Sequence, residues 1–289
     1  MENRASVVAE RAFRSPIRAA SGRYRLESRL TTSTTTSVWR ATDLSLGRPV
    51  TVKRLRARAA ADDGVRRRFT GEIQISASMH HPSIVEVLDA DPAASRPYLV
   101  TEWVEGESLR KVLRRGHLPP STAIRIAGAL ARALSHVHDR GAIHCDVKPA
   151  NLLVRNDGQV KLADFGIATP IGSRHDGTVF GSIHYMSPER LIGGAPGPGC
   201  DVYALGVTLY EMMTGRRPFT GASPFEVALA HRRTNALSSG RFGRIPASAD
   251  TVLRTALAQD PRDRYQSASH FAMELDAADR YLERQVMPG

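Results

Sequence analysis

Three polar side chains able to handle protons, phosphates and metal ions stand within six residues in the middle of the chain. Asp146, Lys148 and Asn151 lie in the segment HCDVKPAN, which the apolar run Leu152-Leu153-Val154 follows. Carboxylate and amide oxygens ligate hard metal ions, a carboxylate can accept a proton, and an ammonium group neutralises an anion. This combination favours chemistry on a polyanion.

Two further motifs follow in order along the chain. Asp164-Phe165-Gly166 begins eighteen residues after Asp146, behind a short apolar segment, and Ser187-Pro188-Glu189 comes next. Together with HCDVKPAN, these motifs resemble the catalytic loop, the metal-binding loop and the end of the activation segment of eukaryotic-type (Hanks-type) protein kinases. The Arg/Ala-rich composition and a His-Pro-x-Ile-Val segment resemble the bacterial branch of that family.

The resemblance extends upstream of these motifs. Val50-Thr51-Val52-Lys53 is similar to the family's strand that ends in a lysine, and Glu72 stands nineteen residues later on a predicted helix, where the family has that lysine's acidic partner. Lysine occurs at only four positions in this arginine-rich chain. Its presence at both 53 and 148 indicates that a compact ammonium group is required there.

The resemblance also extends downstream, so that it covers about Tyr24 to Arg284. Asp201 is similar to the family's buried structural aspartate, and Arg264 is similar to the arginine that pairs with Glu189. A small-molecule kinase of the aminoglycoside type is disfavoured, because that group lacks the long activation segment that ends in Ser-Pro-Glu.

A reaction and a set of roles are implied by this resemblance: transfer of phosphate from ATP to serine or threonine hydroxyls, with autophosphorylation. Phosphoryl transfer depends mainly on positioned charge. Lys53, fixed by Glu72, would hold the α- and β-phosphates. Asp164 and Asn151 would each ligate a magnesium (or manganese) ion.

The catalytic loop would supply the remaining roles. Asp146 would orient the incoming hydroxyl and accept its proton, and Lys148 would neutralise the γ-phosphate. Lysine two positions after the catalytic aspartate is the family's serine/threonine pattern, so a protein substrate with Ser or Thr is implied. His144 is expected to support the loop backbone.

The resemblance places ATP in a cleft between two lobes. Its adenine would lie between apolar walls and beside backbone groups of a hinge, with Thr101 as gatekeeper. The walls are Leu30, Val38 and Leu153, and the hinge residues are Glu102 and Val104.

The segment from Leu30 to Val38 departs from the family pattern, because it reads LTTSTTTSV without a glycine. Glycines normally let backbone N–H groups approach the phosphates closely. Threonine is stiff and favours a regular hairpin. Weaker ATP binding is expected, and Thr51, where alanine is usual, adds to it. A pseudokinase that acts as a binding or regulatory module therefore stays open as the alternative.

The activation segment shows another departure. Cys145 replaces the arginine that in many family members pairs with a phosphorylated residue of this segment, so phosphate on Thr178 should order it only weakly. Ser182 is expected to bond Asp146 and Lys148. Cys145 and Cys200 are interpreted as small packing residues.

Hydrophobic patterning predicts a small β-rich part followed by a larger helical part. The resemblance implies that these are the N-lobe (24–102) and the C-lobe (103–284) of an α+β, two-lobed protein kinase fold. A basic arm (1–23), expected to be flexible, precedes this domain, and a tail (285–289) follows it. Strands are predicted within 24–55 and at 84–88, 98–101, 152–154 and 160–163. Helices are predicted at 62–79, 119–141, 202–214, 224–232, 249–258 and 267–284.

Composition limits the remaining function classes. The formal net charge is +11, but the arginines are spread along the chain and aromatics make up only 6% of residues, so no nucleic-acid partner is expected. No apolar run reaches the roughly 18 residues of a membrane span. With two cysteines and no secretory signal, a cytoplasmic location is expected. The oligomeric state stays open.

Overall fold

The computed structural model describes residues 22–173, 181–233 and 245–286, which group into two compact units. The first takes the chain to Ala77 and then Glu86–Trp103, and the second takes Ser78–Val85 and the chain from Val104 onward. The sequence places 78–85 in the N-lobe, whereas the structure groups it with the second unit. The predicted lobe boundaries, arm and tail stay predictions.

A five-stranded antiparallel sheet makes up most of the first unit. Its strands are β1 (Tyr24–Thr32), β2 (Thr36–Asp43), β3 (Arg48–Leu55), β4 (Val87–Asp91) and β5 (Tyr98–Glu102). They are ordered β1-β2-β3-β5-β4, so that β3 lies in the middle of the sheet. A central strand is hydrogen-bonded on both edges, which fixes the side chains that it carries.

Two helices follow β3, the short α1 (Ala57–Ala60) and the longer α2 (Asp63–Ala77). Phe69 and Ile73 lie one turn apart on α2 and pack with residues of β3 and β5 in a buried cluster. This i, i+4 spacing is the apolar face of an amphipathic helix. Packing of that face sets the rotation of α2, and with it the position of Glu72.

Strands of the second unit are short and its helices are long. The strands are β6 (Gly106–Ser108), β7 (Ala142–Ile143), β8 (Leu152–Arg155), β9 (Val160–Leu162) and β10 (Thr169–Pro170). The helices are α3 (Leu109–Leu113), α4 (Pro120–Asp139), α5 (Pro188–Leu191), α6 (Pro198–Thr214), α7 (Pro224–Arg233), α8 (Ala247–Ala256) and α9 (Ala268–Val286).

Helix α6 forms the centre of the second unit, because nearly all of its side chains are buried. A helix that is apolar on every side is a core helix. It begins with Pro198 in the first turn and ends at Gly215, whose left-handed backbone (φ 72°) lets its N–H bond the Glu211 carbonyl at 2.8 Å. Within the described residues, none of the helices combines the length and hydropathy needed to cross a bilayer.

The strand predicted at 84–88 is wrong in its position, since β4 runs from Val87 to Asp91. The apolar run divides between the two units. Ile84 is buried and forms a parallel bridge with Leu162 of β9, and the Val85 N–H bonds the Leu162 carbonyl at 2.9 Å. Hydrophobicity alone cannot show that neighbouring residues of one run join different sheets.

A buried histidine makes the stability of the second unit depend on pH. His231 is fully buried, shares a hydrogen bond of 2.8 Å with the Tyr203 hydroxyl and packs against the Phe219 ring. Burial, followed by the charge of His184, lowers the pKa of His231 to about 4. Below the ordinary histidine pKa of about 6.5 the unfolded chain therefore binds a proton that the folded chain does not.

We predict that this difference lowers the free energy of unfolding by about 3 kcal/mol as the pH falls from about 6.5 to about 4. Urea denaturation across that range should show a smaller decline in His231→Gln. The matched control is His270→Gln, since the His270 side chain is 53% exposed. Equal declines in wild type and His231→Gln would contradict the prediction.

Candidate active site

An ion pair in the first unit joins the central strand to the helix beside it. The Lys53 Nζ donates to the Glu72 Oε1 at 2.6 Å, and Glu72 is only 6% exposed. Lys53 is fixed by pairing with Val38 of β2 on one side and Leu99 of β5 on the other. Removal of one partner from a buried pair leaves an uncompensated charge, so the two residues depend on each other.

In the second unit, one buried carboxylate holds the backbone of the catalytic loop. Asp201, on the first turn of α6, accepts the N–H of His144 at 2.8 Å and that of Cys145 at 2.9 Å. Its Oδ2 also lies 2.9 Å from the His138 Nε2. These bonds hold Cys145 in a left-handed conformation (φ 66°), which is uncommon for a residue other than glycine.

The charge state of Asp201 follows from these contacts. Burial acts to raise the pKa of its carboxyl group, but the hydrogen bond and charge of His138 and the donors of the loop outweigh burial. The pKa of Asp201 therefore lies below its ordinary value. An ionised Asp201 can accept all of these hydrogen bonds at neutral pH.

Asp146 lies at the centre of a polar network in the same loop. Its Oδ2 accepts hydrogen bonds from the Lys148 Nζ and, at 3.0 Å, from the Asn151 Nδ2. The Lys148 Nζ also donates to the Ser182 Oγ at 2.8 Å. The Asp146 Oδ1 is buried and has no hydrogen-bond partner among the described residues. The carboxylate is thus held through one oxygen, and the other is an unpaired acceptor among the described residues.

The predicted metal ligands Asn151 and Asp164 have suitable donor atoms. The Asn151 Nδ2 donates to the carbonyl and the Oδ2 of Asp146, so the amide oxygen Oδ1 is the atom of this side chain that can ligate a metal ion. Asp164 is exposed, follows β9 and has left-handed backbone (φ 67°). The Ala163 N–H bonds the Asn151 carbonyl at 2.9 Å, which ties the two segments together. Magnesium takes few protein oxygens beside water and phosphate, so these residues fit it.

The residues predicted to contact adenine divide between the units. In the first unit, Leu30 is 45% exposed, whereas Val38 and Glu102 are half-buried. In the second unit, Val104 is buried and Leu153 is half-buried on β8. Their roles toward a nucleotide stay predictions.

The described part of the activation segment is anchored at its end. The Arg264 guanidinium is fully buried and donates to both carboxylate oxygens of Glu189, at 2.7 and 2.8 Å. Ser182 contacts Lys148 directly, and the described hydrogen bonds link it to Asp146 only through that ammonium group. Thr178 lies outside the described residues.

Two side-chain contacts of the second unit were not predicted from the sequence. No other metal-ligating residue stands at a suitable spacing from His138 in the sequence, which predicts no role for it, yet its ring contacts Asp201. The Tyr185 hydroxyl donates to the Glu211 Oε2 at 2.7 Å, which ties the activation segment to α6. The sequence signals for these contacts are His138 on α4 and Glu211 on α6, polar residues within largely apolar helices. Burial raises the pKa of Cys200 to about 12, as expected of a packing cysteine.

Comparison with known proteins agrees with this geometry. The profile of the family described as "Protein kinase domain" matches residues 24–275. Serine/threonine-protein kinase PrkC of Bacillus subtilis is 36% identical over 273 residues, which are 92% of this chain and 42% of that protein. Serine/threonine-protein kinase PknB of Mycobacterium tuberculosis is 40% identical over 266 residues, which are 88% of this chain and 42% of that protein.

The chain therefore belongs to the protein kinase family, and its similarity to PrkC and PknB places it on the bacterial serine/threonine kinase branch. The predicted fold class, a two-lobed kinase fold with a β-rich N-lobe and a helical C-lobe, is confirmed. The chain spans about two fifths of the length of these curated relatives.

Ser182 gives the first test of the site. Ser182→Ala removes one of the acceptors of the Lys148 ammonium group, so we predict that kcat falls about tenfold, the equivalent of roughly 1.4 kcal/mol, with little change in KM for ATP. Thr178→Ala should stay within about twofold of wild type, because Cys145 stands where an arginine would bind its phosphate. Steady-state phosphotransfer assays compare the two. Loss of activity in Thr178→Ala with a tolerated Ser182→Ala would contradict this assignment.

Proposed function

We propose that this domain transfers the γ-phosphoryl group of ATP to serine and threonine hydroxyls of protein substrates, itself included. The observation that carries the proposal is the state of the Asp146 carboxylate. One oxygen is held by Lys148 and Asn151, and the other is buried without a partner among the described residues. An unpaired acceptor oxygen inside a fixed network is suited to accept a hydrogen bond from a substrate hydroxyl.

The catalytic loop then acts by positioning and by charge. Asp146 orients the hydroxyl through its Oδ1 and takes up the proton as the hydroxyl attacks. Lys148 is tied to both Asp146 and Ser182, so its positive charge is fixed beside the reacting oxygen and offsets charge that develops on the transferred group. Since Asp201 holds the backbone of this loop, these side chains need little reorganisation during reaction.

Nucleotide and metal binding rest on a separate set of residues. Lys53, held by Glu72, is proposed to contact the α- and β-phosphates, and the oxygens of Asn151 and Asp164 are proposed to hold magnesium. When bound, the metal ions neutralise the phosphate oxygens. Leu30, Val38, Leu153 and the backbone of Glu102 and Val104 are proposed to contact adenine. We place this activity in the cytoplasm, where ATP is available.

A pseudokinase is the competing function, and the turn between β1 and β2, which lacks glycine, favours it. The relatives named above count against it, because both are named serine/threonine-protein kinases. The sequence also retains every residue that the resemblance implies for phosphoryl transfer, namely Lys53, Glu72, Asp146, Asn151 and Asp164. A kinase with a modified phosphate lid accounts for both observations.

Loss of either charged centre should abolish phosphotransfer. Lys53→Met leaves Glu72 without its cation, and Asp146→Asn replaces the proton acceptor with an amide. We predict that each lowers the rate of autophosphorylation at least about a thousandfold. Because these residues act as a unit, the double variant should be little worse than either single one. The assay uses radiolabelled ATP with magnesium, followed by phosphoamino-acid analysis.

The same experiment separates the two functions. Undiminished signal in Asp146→Asn would reveal a contaminating kinase. Wild-type protein that binds ATP without transferring phosphate would establish the pseudokinase instead. Phosphate found only on tyrosine would contradict the proposed substrate class.

A further inference from the structure

The turn that joins β1 to β2 closes on itself through the side chain of Ser33. The Ser33 Oγ accepts the backbone N–H of Thr36 at 3.0 Å and that of Thr35 at 3.3 Å. It also lies 3.0 Å from the Thr36 Oγ1. The Ser33 N–H itself bonds the Thr36 carbonyl at 2.9 Å. Three backbone donors of the turn, those of Ser33, Thr35 and Thr36, are thus occupied by acceptors that belong to the turn.

Arg56 binds the carbonyl groups of the same turn. Its guanidinium donates to the carbonyls of Ser33, at 3.0 Å, and Thr34, at 3.5 Å. Its backbone N–H bonds the Thr35 carbonyl at 2.8 Å. Since Arg56 directly follows β3, these three bonds tether the turn to the strand that carries Lys53. Arg56 thus holds the carbonyls of the turn, whereas the N–H groups of Thr35 and Thr36 are held by the Ser33 side chain.

This arrangement explains how the turn forms without glycine. Glycine serves where the backbone needs positive φ, and among the described residues only Cys145, Asp164 and several glycines elsewhere have it. A serine side chain that bonds the N–H groups of the next residues gives the same tight turn with ordinary backbone angles. The consequence is that the Ser33 hydroxyl takes the donors that a glycine-rich loop would offer to phosphate.

We infer that the Ser33 hydroxyl is an intramolecular competitor of the ATP phosphates for the N–H groups of Thr35 and Thr36, and so sets how strongly this domain prefers ATP over adenosine. The inference rests on the proposed function, because it assumes that ATP binds. Ser33 and Thr34 are exposed and Thr35 and Thr36 are half-buried, and a rotation of the Ser33 side chain releases the two donors without breaking the bonds to Arg56. Ser33 is thus a positioning residue that tunes phosphate binding.

Substitution of Ser33 by alanine tests the inference, because it removes the competing acceptor while the three bonds from Arg56 to the carbonyls of the turn remain. A backbone bond to a charged phosphate is stronger than one to a hydroxyl, so Ser33→Ala should bind ATP about three- to tenfold more tightly. Adenosine lacks phosphates and should change by less than about twofold. Thr34→Ala is the matched control, since the Thr34 hydroxyl makes no hydrogen bond among the described residues. Calorimetric titration measures all six affinities.

A second measurement examines the hydrogen bonds without any ligand. Amide hydrogen exchange by NMR should be faster at Thr36 in Ser33→Ala than in wild type and in Thr34→Ala. Unchanged exchange at Thr36 would overturn the inference, because the bond to Ser33 would then not protect that amide. Equal or weaker ATP binding by Ser33→Ala would overturn it as well, and weaker binding would show that the hydroxyl itself contacts phosphate.

Failure of the proposed function has a different signature. If wild type and both variants bind neither ATP nor adenosine, the nucleotide-binding proposal fails and the competition fails with it. If ATP binds with equal affinity to all three proteins, the competition alone is refuted.

Discussion

A single buried carboxylate fixes the part of the molecule on which the chemistry depends. Asp201 is fully buried on α6, and it receives two consecutive backbone N–H groups of the catalytic loop together with the His138 ring. An ionised carboxylate away from water is stable only when such donors surround it. Nearly all side chains of α6 are buried, so Asp201 attaches the catalytic loop to the core helix of its unit.

The positions of the other catalytic-loop side chains depend on the bonds to Asp201. Cys145 is held in left-handed backbone, which turns the chain so that Asp146 meets Lys148 and Asn151. The Lys148 ammonium group then reaches Ser182 in the activation segment. In the first unit the corresponding constraint is the Lys53–Glu72 ion pair, set by a central strand and an amphipathic helix. Lys53, Glu72 and Lys148 thus each have a defined partner, and the Asp146 Oδ1 is left unpaired among the described residues.

Sequence reasoning reached the motifs and most elements because their signals are local. The resemblance to protein kinases implied a pair between Lys53 and Glu72, which the structure shows at 2.6 Å, and likewise the Glu189–Arg264 pair. Prediction from the sequence failed where a contact depends on tertiary placement. His138 meets Asp201 from 63 residues away. The hydrogen bonds of the Ser33 side chain were not predicted, because the sequence does not distinguish this hydroxyl from those of the neighbouring threonines.

The dependence of the catalytic loop on Asp201 is tested most directly by Asp201→Asn. Asparagine preserves the shape but turns one acceptor into a donor against N–H groups. We predict that the phosphotransfer rate at saturating ATP, measured well below the unfolding temperature, falls about a hundredfold, because a loop displaced by about 1 Å loses near-attack geometry. Calorimetry should show that ATP still binds. A folded Asp201→Asn variant with the wild-type rate would contradict the account.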